Sequence, residues 1–168
     1  MDILTPKGQE SKRQEDQAIK LWHKAYPELR YCETPKDKPA AVDALIIKGD
    51  YIQAVVETKC RPQLNMTIFA IEHKSRWLVT DEKIRKAQQI AEALQVPFVG
   101  FLYMPETDAL LFETLWHPTK GWTVDIQVKE TQTQATINGG KIVRKNAYID
   151  MSRAKLIMGD DFEQPTTE

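Results

Sequence analysis

A glutamate and a lysine two residues apart, Glu57 and Lys59, end an apolar run whose alternation predicts a strand over Tyr51 to Lys59. Residues two apart in a strand point to the same face, about 6.6 Å from each other, so this acid and base can reach one ligand. The preceding strand carries a second acid, Asp43. If the turn between the strands has three residues, Gly49 to Tyr51, then Asp43 lies directly across from Glu57, whereas a two-residue turn would send it to the opposite face.

Two close carboxylates are ligands that hard divalent cations such as Mg²⁺ accept, with waters and a substrate phosphate filling the other positions. Such a cation polarises a phosphoryl oxygen and activates a bound water, while a nearby lysine steadies the developing charge. The arrangement therefore predicts phosphodiester hydrolysis with Mg²⁺ or Mn²⁺. A half-exposed strand with a cross-strand charge pair is the alternative. Acid-x-lysine spacing has little weight alone, because it recurs as solvated charge pairs at Glu10-Lys12, Glu72-Lys74 and Asp81-Lys83.

The composition is that of an ordinary globular chain. Its 168 residues are 42% hydrophobic and 28% charged, which predicts a single domain over residues 1–158. An acidic, flexible tail is expected at 159–168, and without its four acids the chain is mildly basic. Two cysteines and three scattered histidines argue against a disulfide framework or a zinc site. No apolar stretch approaches the roughly 18 residues that span a bilayer, so a cytoplasmic protein without a membrane anchor is expected.

Several predicted helices and strands must position these residues. A loose leader is expected at residues 1–9, before the first of them. Prolines end two predicted helices, Glu10 to Ala25 and Thr80 to Gln95. The apolar run Phe98 to Met104 predicts a strand buried on both faces. A hairpin near Asn138-Gly139 joins the last two of the remaining strand candidates, which are Leu29 to Glu33, Thr67 to Ile71, Leu110 to Trp116, Trp122 to Val128, Thr131 to Ile137 and Lys141 to Tyr148. This order predicts an α/β fold with a mixed sheet.

One acid of the first helix stands out. Glu15 falls on the same helical stripe as the apolar Ala18 and Trp22. It is interpreted either as the exposed end of the stripe or as a functional carboxylate.

This arrangement resembles the PD-(D/E)xK nuclease superfamily, whose core runs helix, strand, strand with Asp, strand with Glu-x-Lys, helix, strand. The resemblance covers about Glu10 to Met104 and implies a restriction-endonuclease-like mixed β-sheet flanked by helices, followed here by a β-rich extension over 110–150. One departure is that Pro39 precedes Asp43 by four positions instead of one.

The resemblance also implies roles for individual residues. Asp43, Glu57 and the Thr58 carbonyl would bind the metal, Lys59 would be the catalytic lysine, and Glu15 would be the acid contributed by the first helix. The helix after the motif is expected to add a polar residue near the scissile phosphate. Gln88 fits that place best, and Lys83 or Lys86 is the alternative.

The resulting hypothesis is a small metal-dependent deoxyribonuclease, suited to recombination, repair or junction resolution because the chain has no separate sequence-reading domain. The alternative is a catalytically inactive nuclease-fold module that binds nucleic acid or a protein partner. A homodimer is a further expectation. The sequence leaves open whether the late basic residues contact phosphates or only solubilise the surface, and whether the tryptophans stack on unpaired bases or fill the core.

Overall fold

The computed structural model describes residues 5–134 and 140–159. Within these ranges, helices α1 to α3 are Pro6–Ala25, Met66–Ile71 and Asp81–Leu94. The strands, numbered β1 to β10 in chain order, are Arg30–Glu33, Ala44–Lys48, Tyr51–Cys60, Arg76–Thr80, Phe98–Met104, Ala109–His117, Gly121–Trp122, Ile126–Gln134, Lys141–Asp150 and Lys155–Met158. No helix in the described residues is long and apolar enough to cross a membrane.

The main sheet is mixed. Its strands lie in the order β1-β2-β3-β5-β6-β10, with β7 beside β6. β3 and β5 are parallel, and every other pair in this sheet is antiparallel. The parallel pair requires a crossover, and α3 lies on that connection. The predicted α/β class with a mixed sheet flanked by helices is confirmed.

Different elements cover the two faces of the main sheet. On one face, α1 packs Ala18 and Trp22 against Phe101 and the even-numbered residues of β3. On the other face, α3 packs Ile84 against Val55, together with the small sheet β4-β9-β8. β3 and β5 are therefore apolar on both faces, as expected for central strands.

The N-terminal helix begins earlier than predicted. Thr5 caps α1, because its side-chain oxygen accepts a hydrogen bond from the Gly8 N–H at 3.0 Å, and Pro6 occupies the first turn. Residues 6–9 are thus helical, and the prediction of a loose leader there is wrong. The helix ends at Ala25, as predicted.

Two strand predictions are wrong. Thr67 to Ile71 lies in α2, which Asn65 caps by accepting a hydrogen bond from the Ile68 N–H at 2.8 Å. A short apolar run does not distinguish a strand from a buried helix turn, and here the cap decides it. Trp122 to Val128 is divided between β7 and β8, which belong to different sheets.

The segments predicted as a β-rich extension are shared between the two sheets. β6 and β10 join the main sheet, whereas β8 and β9 pair with β4 in the small one. β8 and β9 are antiparallel, as the predicted hairpin requires. The predicted turn at Asn138-Gly139 and nearly all of the acidic tail lie outside the described residues.

Candidate active site

The hairpin of β2 and β3 brings Asp43 across from Glu57 by an unexpected route. The turn has two residues, Gly49 at φ 58° and Asp50, which is the alternative that was expected to send Asp43 to the opposite face. A bulge then changes the register, because Ile47 pairs with Ile52 but Ile46 pairs with Ala54. The unpaired Gln53 restores the register that a three-residue turn would have produced.

Asp43 immediately precedes β2 in the chain. The Asp43 N–H donates to the Val56 carbonyl at 3.0 Å, and the Thr58 N–H donates to Asp43 Oδ2 at 2.8 Å. Asp43 is thereby fixed beside the carboxyl end of β3, on the same face as Glu57. The side chain of Asp43 is 14% exposed, and that of Glu57 is fully buried.

Two lysines face this acid pair. Lys59 contacts Glu57 directly and lies 3.8 Å from Asp43 Oδ2. Lys83, from the first turn of α3, bridges the two acids, with its Nζ 3.1 Å from Asp43 Oδ1 and 3.0 Å from Glu57 Oε1. Two carboxylates and two ammonium groups therefore form one compact cluster whose formal charges balance.

The carboxylates of the cluster differ in their surroundings. Burial raises the pKa of Glu57, and the nearby Asp43 raises it further, so that the two lysines do not restore the ordinary value. Burial would also raise the pKa of Asp43, but Lys59, Lys83 and the Thr58 N–H outweigh it and hold that pKa below its usual range. The two carboxyl groups therefore differ in pKa, with that of Glu57 raised and that of Asp43 lowered.

The donor set fits a hard divalent cation. Glu57 Oε2 is buried and has no hydrogen-bond partner among the residues that the structure describes. An unpartnered buried carboxylate oxygen is costly, and a bond to a metal ion would relieve that cost. Asp43 Oδ1 and Glu57 Oε1 already share one cationic neighbour, the Lys83 ammonium. The described ranges contain no group of three or more His, Cys, Asp and Glu side chains placed to bind a metal. Mg²⁺ often uses only one or two carboxylates and keeps its waters.

The Thr58 carbonyl faces the cluster, since Lys59 Nζ donates to it at 3.3 Å. The Thr58 side chain points to the α1 face, where its hydroxyl lies 2.8 Å from the Tyr31 hydroxyl. Thr58 can therefore offer its backbone oxygen to a metal, while its side chain ties β3 to β1.

Glu15 is buried, and in the described structure it forms no hydrogen bond or ion pair with Asp43 or Glu57. Its side chain, 9% exposed, forms an ion pair with Lys36 at 3.2 Å. Lys36 is also close enough to lower the pKa of Asp43. Glu15 thus connects to the cluster through Lys36, a loop residue that the sequence analysis did not identify and that lacks any motif to signal it.

Gln88 and Lys86 face other partners. Gln88 donates to Glu92 Oε2 at 3.0 Å, and Lys86 pairs with Glu82 at 2.6 Å on the solvent side. At 100° per residue Gln88 lies about 140° around α3 from Lys83, on the opposite flank of the buried stripe. Of the three polar residues predicted on this helix, only Lys83 contacts the acids.

Comparisons with known proteins give a fold likeness only. No protein-family model matches the chain, and no curated protein matches it in sequence. Among solved structures it is similar to Hjc, a Holliday junction resolvase from Archaeoglobus fulgidus, with 13% sequence identity and a TM-score of 0.47. The match covers 84% of this chain and 93% of the resolvase chain.

Proposed function

We propose that this chain is a metal-dependent nuclease that hydrolyses phosphodiester bonds of DNA, with Asp43, Glu57 and the Thr58 carbonyl as the ligands of Mg²⁺ or Mn²⁺. The observation that supports it most is the acid pair itself. Both acids turn an oxygen toward the Lys83 ammonium, and Glu57 Oε2 is buried without a hydrogen-bond partner in the described part of the chain. Purely structural carboxylates are rarely left in that condition.

When bound, the cation would polarise a phosphoryl oxygen and lower the pKa of a coordinated water. Lys59 lies on the same face as Glu57 and within reach of both acids. In this role its ammonium would orient the attacking water and stabilise the charge that develops on the phosphate. Lys59, Lys83 and the Thr58 N–H outweigh burial and hold the pKa of Asp43 below its usual range, which favours the ionised form that would bind the metal.

Glu15 has a supporting role in this proposal. Its ion pair holds Lys36 near Asp43, so Glu15 positions a positive charge at the edge of the site. Gln88 donates to Glu92 and not to the acid pair in the described structure, and we assign it no step. Lys86 remains a candidate only for an outer phosphate contact, because its ammonium is exposed and far around α3 from the buried stripe.

One observation favours the second candidate, an inactive module that binds nucleic acid or a protein. Lys59 and Lys83 together neutralise both acids without any metal. A closed ion-pair cluster of this kind can simply stabilise the junction between β3 and α3. The two candidates differ in whether a divalent cation enters the cluster.

The test is cleavage of labelled linear duplex, single-stranded, circular and four-way-junction DNA in Mg²⁺, Mn²⁺ or EDTA. We expect metal-dependent cleavage that Glu57→Ala and Lys59→Ala abolish. Glu72→Ala is the matched control, because Glu72 belongs to an exposed Glu-x-Lys copy outside the cluster. Circular dichroism confirms that each variant is folded. Cleavage that survives in a folded Glu57→Ala protein would refute the assignment, and no cleavage by any protein would favour the binding module.

A further inference from the structure

Strands β8 and β9 continue beyond the small sheet as a two-stranded ribbon. β4 pairs with β9 only as far as Thr80 and Asn146, whereas β9 goes on pairing with β8 to the other end of both strands. Residues 130–134 and 141–145, which form the ribbon, therefore have each other as their only strand neighbour in the described chain. At about 3.4 Å per residue, the ribbon reaches roughly 17 Å past the end of β4.

The two faces of the ribbon differ in charge. Because directly paired residues share a face, the odd-numbered residues of β8 and the even-numbered residues of β9 form one face, the outer face. The inner face continues the one on which Ala147 enters the core. From residues 127–133 of β8 to residues 142–148 of β9, the outer face carries Lys129 and Arg144 and no acid. On the inner face, Lys145 lies directly across from Glu130.

Positive charge is concentrated in this part of the chain. Residues 127–146 contain four cationic side chains and one acidic side chain, which are Lys129, Lys141, Arg144, Lys145 and Glu130. The whole chain has a formal net charge of -1, so the other residues together are net negative. None of the four cations forms a salt bridge with a residue that the structure describes. A cationic surface without paired acids favours an anionic partner.

Hydrogen bonds across the outer face hold the base of the ribbon together. The Asn146 side chain donates to Thr131 Oγ1 at 2.7 Å, and the Tyr148 hydroxyl donates to the same oxygen at 3.1 Å. Lys129 Nζ lies 5.6 Å from the Tyr148 ring centroid. Because Thr131 Oγ1 accepts both bonds, its own proton is left for an acceptor. The outer face thus presents an ammonium, a guanidinium and a hydroxyl donor, and phosphate oxygens accept such bonds.

The dimensions of a two-stranded ribbon match one groove of duplex DNA. Neighbouring strands lie about 4.8 Å apart, and the major groove of B-form DNA, about 12 Å wide, admits a ribbon of that kind. The major groove of duplex RNA is deep and narrow, and side chains do not enter it. A single strand has no groove. Charge and shape together therefore favour duplex DNA as the partner of the ribbon.

The ribbon begins beside the candidate active site. Thr80, the last residue of β4, pairs with Asn146 at the base of the ribbon. α3 begins at the next residue, Asp81, and its first turn carries Lys83, whose ammonium bridges the acid pair. A duplex held by the ribbon would therefore lie next to the helix turn that reaches the acids.

We propose that the ribbon lies in the major groove of duplex DNA, with its outer face toward the DNA and with Lys129 and Arg144 donating to phosphate oxygens. This inference names the substrate class of the proposed nuclease and rests on that function for the cleavage step alone. Binding itself needs no metal, because neither Asp43 nor Glu57 belongs to the ribbon. Binding and cleavage can therefore be tested separately.

The test is fluorescence anisotropy of a labelled DNA duplex, about two helical turns long, titrated with the full chain in EDTA. The double variant Lys129→Gln, Arg144→Gln should bind at least about tenfold more weakly, and the slope of log affinity against log salt should decrease by about two. The double variant Lys7→Gln, Lys20→Gln is the matched control. It removes the same charge from exposed positions of α1, across the main sheet from the ribbon, and should retain the wild-type affinity.

Two single variants separate the faces and the charge. Lys145→Gln removes a cation from the inner face of the same ribbon and should weaken binding by less than about threefold. Arg144→Lys keeps the charge and should retain most of the affinity, because an ammonium also binds phosphate. Circular dichroism shows whether each variant is folded. Wild-type protein should bind duplex RNA of the same sequence at least about tenfold more weakly than the DNA.

Three results would overturn the proposal. They are an absence of duplex DNA binding, equal losses in the ribbon double variant and the α1 control, and equal affinities for duplex DNA and duplex RNA. Failure of the proposed function looks different. A chain that binds the duplex through the ribbon but never cleaves it would refute the nuclease and leave the ribbon assignment intact. Metal-dependent cleavage at the wild-type rate by the ribbon double variant, with unchanged KM, would refute the ribbon and leave the nuclease intact.

Discussion

Lys83→Met removes the ammonium group that bridges the acid pair while keeping a flexible side chain of similar length. At about 3 Å and an effective dielectric constant near 20, each contact carries roughly 5 kcal/mol of Coulomb energy before desolvation is subtracted. The net effect is much smaller, because the Lys83 side chain is 32% exposed and Lys59 remains. We expect the free energy of unfolding in EDTA to fall by about 1 to 3 kcal/mol.

The same substitution should strengthen metal binding. Lys83 and a divalent cation compete for Asp43 Oδ1 and Glu57 Oε1, so removing the ammonium should raise the affinity for Mn²⁺ at least about tenfold. A metal present at about 10 times its Kd stabilises a protein by roughly 1.4 kcal/mol, and at about 100 times by roughly 2.7 kcal/mol. The variant should therefore melt lower than wild type in EDTA and regain part of the difference in Mn²⁺.

The assay combines thermal unfolding in EDTA and in Mn²⁺ with calorimetric Mn²⁺ titration. For a chain of this size, a loss of about 2 kcal/mol lowers Tm by roughly 4 to 8 °C. Lys86→Met is the matched control, because Lys86 lies on the same helix in an exposed pair worth less than about 1 kcal/mol. Two results would show that Lys83 does not neutralise the charge of Asp43 and Glu57. One is an equal change of Tm in Lys83→Met and Lys86→Met, and the other is a Lys83→Met affinity for Mn²⁺ equal to that of the wild type.

Three further predictions follow from burial and packing. Burial raises the pKa of Glu57, so protons should displace Mn²⁺ from this carboxylate as the pH falls through the raised pKa. Calorimetric Mn²⁺ titration at several pH values tests this, and an affinity for Mn²⁺ that falls only below about pH 4 would contradict it. Burial raises the pKa of Cys60 to about 12, so little thiolate forms at pH 8. In a Cys32→Ser variant, whose remaining cysteine is Cys60, a thiol reagent should react only after unfolding, and rapid reaction of the folded variant would contradict this. Gly100→Ala should lower the free energy of unfolding by about 1 to 3 kcal/mol, because the added Cβ would lie 2.5 Å from the Trp77 ring. Denaturant titration measures this loss, and an unchanged unfolding midpoint would show that the ring can move away.

The placement of Glu57 beside Lys59 could be predicted from the sequence because it depends on local periodicity. Residues two apart in a strand share a face, so Glu57 and Lys59 could be placed together from their spacing alone. The position of Asp43 could not be derived as securely. The turn has two residues, which alone would place Asp43 on the opposite face, and the bulge at Gln53 shifts the register back by one residue. No pattern in the sequence signalled that bulge.

The partners of the pair were less accessible. Lys83 was one of three candidates on the same helix. Choosing it over Gln88 required knowing how α3 is oriented about its own axis. That rotation is set by which residues pack against β3, such as the buried Ile84. Lys36 carried no signal at all, since it lies in a loop and meets Glu15 from another segment.

The sequence by itself determined the approximate extents of α1 and α3, the hairpin of β2 and β3, and the buried strand Phe98 to Met104. It also determined the order of elements that predicts a mixed sheet. These features follow from hydrophobic periodicity and from prolines, which act within a few residues of chain. Only the tertiary structure decided which cation bridges Asp43 and Glu57, and where β9 stops pairing with β4 and continues as a ribbon with β8. Those contacts join residues far apart in sequence, and their geometry depends on how whole elements pack, which no local pattern encodes.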